Sequence, residues 1–435
     1  MSIYDYEAAF HQADITTKAM RKAIDGWFHM YYDRQATADS DPSQRIAYTV
    51  VSKLVKTMFG EYRASAEDAF TQSVIGLLDA RAKEAVQLAL VGGECYLKPC
   101  VDGPHMDFIL IPRNRMLIFA RDHRGMPTDV GTIQRSAWQN HYYTLLERRR
   151  VDEQGYLTIE NKLYKASNGD NLGVAVPLGS CPLFASLADI YRFPKPVGSV
   201  GLVQLRTPML NCVDGSADGV AVYAAAEGLI ANIDENEAQL KGEFQRGKSR
   251  IIASRDLLRD GISLEDTLFV GLDDDPEQVG ITAFSPQLRE QAYLARKQEY
   301  LRNVESIIGL KRGMLSDANA EDRTATEITS SAGDYNLTVM DFQQMWQQAL
   351  QDGANLCAIL STLYGKPAQA GIISVDWGNG VLYDEEATWE GYMNMVSAGI
   401  LKPEIALAWR FDLPWKTPEQ RQAIRDTYIP VDEST

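Results

Sequence analysis

Apolar positions recur most regularly between residues 324 and 364. Ile328, Ala332, Tyr335, Val339, Phe342, Trp346, Ala349, Gly353, Leu356, Leu360 and Leu363 follow one another at alternating steps of four and three. No proline interrupts this period near 3.5, and Thr324 with Glu327 forms a capping box at its start. The pattern predicts one helix over 324–364, ~55–60 Å long at ~1.5 Å per residue. A seam of that length suits packing along another helix or a neighbouring subunit; a long core helix within one chain is the competing reading.

Elsewhere the texture alternates. Residues 1–60 read as amphipathic helix broken by the polar stretch Ala36–Ser43, and a clearer helix starts at Ser65, with Phe70, Val74, Leu77, Leu78 and Ala82 on one face, ending at Gly92-Gly93. Short β-type runs follow at 94–98, 107–111, 116–119, 142–146, 156–159 and 162–164, with Asp152–Gly155 as a turn, before a proline-containing loop region over 177–201. The second half brings a helix over 220–244 whose apolar stripe is interrupted by Glu237, a β-rich insertion over 249–284, a helix over 289–308, and a polar loop from Leu310 to Arg323. After the long helix come a strand at 372–377 and helices near 387–398, 403–409 and 418–426, the last with Thr417 as N-cap and Pro418 at the first helical position. Helix followed by antiparallel-type strands gives an α+β fold class.

Composition narrows the function classes. The 435 residues are 45% hydrophobic and 23% charged, an ordinary globular balance. No run approaches the roughly 18 apolar residues of a membrane span, and the start lacks a signal-peptide pattern, so no membrane partner and synthesis in a cytoplasm are expected. The formal charge is −16, from 43 basic and 59 acidic side chains. That argues against tight nucleic-acid binding without excluding a protein that lets DNA slide past, since an acidic wall repels phosphate. Five cysteines (Cys95, Cys100, Cys181, Cys212, Cys357) and five histidines are scattered, without the close pairs a zinc site needs. No metal and no cofactor are expected, and the cysteines read as reduced, mostly buried thiols.

One motif invites a different reading. Gly242-Glu-Phe-Gln-Arg-Gly-Lys248-Ser249 fits GxxxxGK[ST], and Leu268–Asp273 resembles an apolar strand ending in an acid. A phosphate-binding loop requires a buried strand before it and a helix after it, so that the helix N-terminus faces the phosphates. Here the preceding residues, Glu235, Asn236, Glu237, Gln239 and Lys241 among them, are helical in pattern, and Arg250-Ile251-Ile252 reads as a strand. An NTPase therefore stands only as an alternative. Asp273-Asp274-Asp275 reads as a solvated turn, and no catalytic constellation is defensible from spacing.

The order of parts resembles the siphophage portal protein family. Glu243–Ile252 resembles the family's junction from stem helix into clip, which gives the Gly-Lys-Ser a role without nucleotide. Gly309-Leu310, the short loop, and Thr324-Ala325-Thr326-Glu327-Ile328 resemble the end of the second stem helix, the tunnel loop and the start of the long helix. Val381–Glu385 and Val396–Leu401 resemble its C-terminal helices. The similarity spans Pro177 to the end in residues, and the N-terminal half only in architecture.

The resemblance implies a portal fold with a wing over 1–219, a first stem helix over 220–247, a clip over 248–288 and a second stem helix over 289–309. A tunnel loop over 310–323, a spine helix over 324–364, and a wing-returning strand with a small crown over 365–435 would complete it. It implies a non-enzymatic virion protein at one capsid vertex, a ring of about twelve identical subunits. Implied partners are the large terminase, a head-to-tail adaptor, major capsid and scaffold proteins, and double-stranded DNA passing without sequence preference. Lys311, Arg312, Ser316, Asn319 and Arg323 would face DNA; Arg250, Arg255, Asp273, Asp274 and Asp275 would dock motor and adaptor. Another helical capsid or scaffold assembly protein is a further alternative.

Overall fold

A computed structural model describes residues 3–32, 42–102, 105–246, 250–254, 269–272, 281–284, 288–317, 325–378, 385–411, 413–415 and 417–429. The chain divides into two compact units. One holds Met1–Lys56 and Ala64–Ser374; the other holds Thr57–Arg63 and Val375–Thr435.

The N-terminal part of the chain holds helices α1 (Ile3–Phe10), α2 (Lys18–Tyr32) and α3 (Ile46–Met58), strand β1 (Arg63–Ala66), and helices α4 (Ala69–Asp79) and α5 (Ala82–Gly92), all in the larger unit except the last turn of α3 and the first residue of β1. The expected single helix from Ser65 is thus a strand and two helices. Its N-cap is Asp68, whose Oδ1 accepts from the Thr71 amide at 2.7 Å, because Ser65 is in the strand. The buried face of α4 is Thr71, Val74, Ile75 and Leu78, with Phe70 and Leu77 only half-buried. Helix α5 stops at Gly93, which adopts φ +80°; a Cβ there would lie 2.2 Å from the Gly219 backbone, so this close approach requires glycine.

Two sheets follow. Strands β2 (Glu94–Asp102), β3 (His105–Pro112) and β10 (Val203–Arg206) form an antiparallel sheet in the order β10-β2-β3. Strands β4 (Met116–Arg121), β5 (Pro127–Trp138), β6 (His141–Val151), β7 (Leu157–Ala166) and β8 (Val174–Val176) form a second, with β9 (Ile190–Arg192) also on β7. Strand β5 is central yet has no counterpart among the expected runs. It opens on a proline and carries Asp129, Gly131, Gln134, Arg135 and Ser136, so its hydrophobic alternation is weak. Tyr6 and Phe10 of α1 pack on this sheet with Leu117, Phe119, Ile133 and Leu146.

Charge is buried in these sheets. Glu94 and Arg113 are both inaccessible and lie 3.2 Å apart; Arg113 also meets Asp218 at 2.9 Å, and Arg121 meets the same carboxylate at 2.6 Å. Burial disfavours the Arg113 cation, but Glu94 and Asp218 outweigh it and raise its pKa. A second group joins Glu147 to Arg149 at 2.7 Å and Lys98 at 3.3 Å.

Helix α6 (Glu227–Arg246) leads into a three-stranded sheet of β11 (Arg250–Ser254), β12 (Phe269–Leu272) and β13 (Ile281–Phe284). β11 is central, parallel to β12 and antiparallel to β13. Helix α7 (Glu290–Ile308) returns, and helix α8 (Ala325–Leu363) runs for 39 residues. The capping residue Thr324 lies outside the described residues. From Tyr335 to Leu356 the apolar stripe of α8 is buried, with Trp346 at 0% exposure. It packs on α4 and β10 of its own chain, so this part of the seam is filled within the subunit rather than by another one. The competing reading of the period, a long helix contributing to its own core, holds there: a 3.5 repeat specifies a flat apolar stripe, not what covers it.

Strand β14 (Ile373–Asp376) ends the described run through the larger unit into the smaller one. The smaller unit has helices α9 (Glu385–Ser397), α10 (Pro403–Arg410) and α11 (Pro418–Tyr428). Tyr392 meets Trp409 edge-on at 5.0 Å, and Arg425 reaches Glu404 at 2.6 Å. Thr417 and Gln420 form the expected cap, as a reciprocal capping box. Cys95, Cys181 and Cys357 are buried thiols, Cys100 is half-buried and Cys212 exposed. Among the described residues there is no cluster of metal-ligating side chains, and no helix is long and apolar enough to cross a membrane.

Candidate functional site

The candidate site is the pair α6 and α7 with the loop that leaves α7. On α6, Ile230, Ile233 and Leu240 are buried; on α7, Leu301, Val304 and Ile308. The two helices pack side by side and antiparallel. The Asn236 side chain donates to the Tyr293 carbonyl at 3.1 Å, Lys297 pairs with Glu237 at 3.0 Å, and Arg289 pairs with Glu243 at 3.0 Å. Glu237, which breaks the apolar stripe of α6, is therefore the carboxylate that meets Lys297 of α7. Lys297 also donates to Gln44 at 2.7 Å.

This order settles the Gly-Lys-Ser segment. A helix ends at Arg246 before it and a strand begins at Arg250 after it, the reverse of a phosphate-binding loop. Gly247–Ser249 themselves lie outside the described residues.

At the end of α7, Gly309 adopts φ +76° and the Leu310 amide donates to the Glu305 carbonyl at 2.8 Å. Leu310, 3% exposed, seals the helix end beneath it. The chain then folds back over Glu305. Its Oε1 accepts from the amides of Gly313 (3.1 Å), Leu315 (2.6 Å) and Ser316 (2.9 Å), and its Oε2 accepts from the Ser316 hydroxyl at 2.8 Å. The Glu305 side chain is inaccessible, and among the described residues no basic side chain pairs with it. A carboxylate buried without hydrogen bonds would cost several kcal/mol; here four donors replace its water. Lys53 of α3 adds a bond to the Met314 carbonyl at 2.6 Å, and Gln298 accepts from the Asp317 amide at 2.8 Å.

Of the residues expected to face DNA, Lys311 and Arg312 are exposed, and among the described residues neither forms an ion pair. Ser316 is only 6% exposed and gives its hydroxyl to Glu305, so it anchors the loop instead of facing outward. Asn319 and Arg323 lie outside the described residues. Of the expected docking residues, Arg250 opens β11, while Arg255, Asp273, Asp274 and Asp275 lie outside the described residues. Glu305 was missed, although a signal existed: it falls on the stripe of Leu301, Val304 and Ile308, where a carboxylate must be compensated.

Residues 130–423 match the family described as phage portal protein, SPP1 Gp6-like. The chain belongs to the phage portal protein family. The match covers well over half of the chain and begins inside β5, further toward the N-terminus than the residue resemblance from Pro177. No curated protein matches the chain. Portal proteins are structural, capsid-associated proteins of genome packaging, not enzymes, and the family implies an oligomeric ring and phage-head partners.

Proposed function

We propose that this portal protein forms a ring of about twelve copies at one capsid vertex, through which double-stranded DNA is packaged, retained and ejected. The observation that carries the reading is the antiparallel pair α6 and α7 bracketing a three-stranded sheet, followed by an anchored loop and a 39-residue helix, all inside the family match. In this reading α6 and α7 are the stem around the channel. The sheet of β11, β12 and β13 belongs to the clip that docks the large terminase and later the head-to-tail adaptor, and residues 310–323 are the loop nearest DNA. Residues 1–219 and the strand near Ile373 form the wing and the C-terminal helices a small crown, and major capsid and scaffold proteins are partners of the ring.

The role is passive: the motor that hydrolyses ATP is a separate protein. Twelve copies of −16 give a ring of about −192, and such a wall repels phosphate and lets a duplex slide. Lys311 and Arg312 supply the local, salt-sensitive attraction that a transient contact needs. Replacing both with alanine should leave ring assembly intact and impair packaging or retention in a packaging assay. Loss of ring formation, with packaging defects only as its consequence, would contradict the assignment of this loop.

A further inference from the structure

We infer that Glu305 is a positioning residue: its carboxylate latches residues 313–316 onto α7 and thereby fixes where Lys311 and Arg312 stand. The inference rests on reading this loop as the DNA-facing segment. The geometry is specific. Gly313, at φ +87°, turns the chain so that three amides within four residues converge on one oxygen, while the Ser316 hydroxyl takes the other. Backbone amides converging on one point bind an anion much as a nest does, and here the amides of Gly313, Leu315 and Ser316 take the chain's own side chain. Lys311 and Arg312 sit between two fixed points: the Leu310 amide bound to the Glu305 carbonyl, and these three amides bound to the Glu305 side chain. The Met314 amide closes the turn onto the Lys311 carbonyl at 3.1 Å. One residue therefore holds both ends of the basic dipeptide. Two adjacent cations on a loop held this way meet a passing phosphate without first being ordered, which is the advantage of a preorganised contact.

Hydrogen exchange of the full-length chain over residues 310–317 tests the latch with no DNA present. Glu305→Ala removes all four acceptor contacts and should speed exchange of this segment by about tenfold or more, whereas exchange of α4 stays unchanged. Glu305→Gln keeps an acceptor oxygen but loses the charge and should fall between wild type and Glu305→Ala; Ser316→Ala should accelerate exchange modestly. Exchange in this segment equal to wild type in Glu305→Gln and Ser316→Ala overturns the latch, and this holds even if Glu305→Ala fails to fold. The second arm measures salt-dependent retention of duplex DNA by assembled rings. Glu305→Gln should weaken it in the same direction as the Lys311→Ala/Arg312→Ala double variant. If the double variant loses retention and Glu305→Gln does not, positioning is wrong. If neither changes retention while exchange accelerates, the latch stands and the DNA-facing reading of the loop falls.

Discussion

Lys297 on α7 stands 3.0 Å from Glu237 on α6, at the one place where a charge interrupts the apolar stripe of α6. Both side chains remain partly accessible, so the pair adds little to stability. Lys297→Ala should cost less than about 1 kcal/mol in chemical denaturation. The reversed pair, Lys297→Glu with Glu237→Lys, should recover most of the loss seen in either single reversal. A double variant no better than the worse single one would show that the helices are held by their apolar faces alone.

Glu147 makes the stability of the larger unit pH-dependent in a definable window. Burial pushes its pKa up, but Arg149 and Lys98 outweigh this and hold it down at about 2. A carboxyl depressed in the folded state contributes stability that is full above its unfolded value of about 4.3 and lost as the pH falls toward about 2. Denaturation midpoints should therefore fall through that range, and Glu147→Gln should flatten the fall. At neutral pH the same variant leaves Lys98 and Arg149 buried without their acid and should cost about 3–5 kcal/mol.

Gly353 lets α8 lie close on α4. A Cβ at this position would come within 2.7 Å of the Leu78 side chain. Gly353→Leu should destabilise the chain by about 1–3 kcal/mol through overpacking, read as a lower thermal midpoint. Combining it with Leu78→Ala should return part of the loss; no recovery would place the strain elsewhere.

Thr417 caps α11 through a reciprocal box with Gln420. Thr417→Ala should lower protection of the first turn of α11 in hydrogen exchange, at a cost of about 1 kcal/mol, and leave the sheets of the larger unit unaffected.

Hydrophobic period made the helices legible and left the charges hidden. The α8 stripe, the bracketing helices α6 and α7 and the Thr417 cap could be read because each rests on apolar spacing or a local cap. What covers the stripe could not be read, since a seam looks the same whether its own sheet or another chain fills it. Strand β5 escaped because its opening proline and Asp129, Gly131, Gln134, Arg135 and Ser136 leave little apolar alternation to read, while backbone pairing to β4 and β6 holds it in the sheet. The Glu94–Arg113–Asp218 group joins residues far apart in sequence, and nothing local marks them as buried. Glu305 was the exception, a charge on an apolar stripe, and Ser316 followed from it: the residue expected to face DNA is spent on the carboxylate beneath it.

The central claim is that many copies of the α6–α7 pair surround one pore. Negative-stain class averages of the purified full-length protein, with particle mass by mass photometry, test it directly. Rotationally symmetric rings of about twelve subunits with a central hole are the expected result. Particles of one subunit's mass, 48.5 kDa, under every buffer and concentration tried would contradict it.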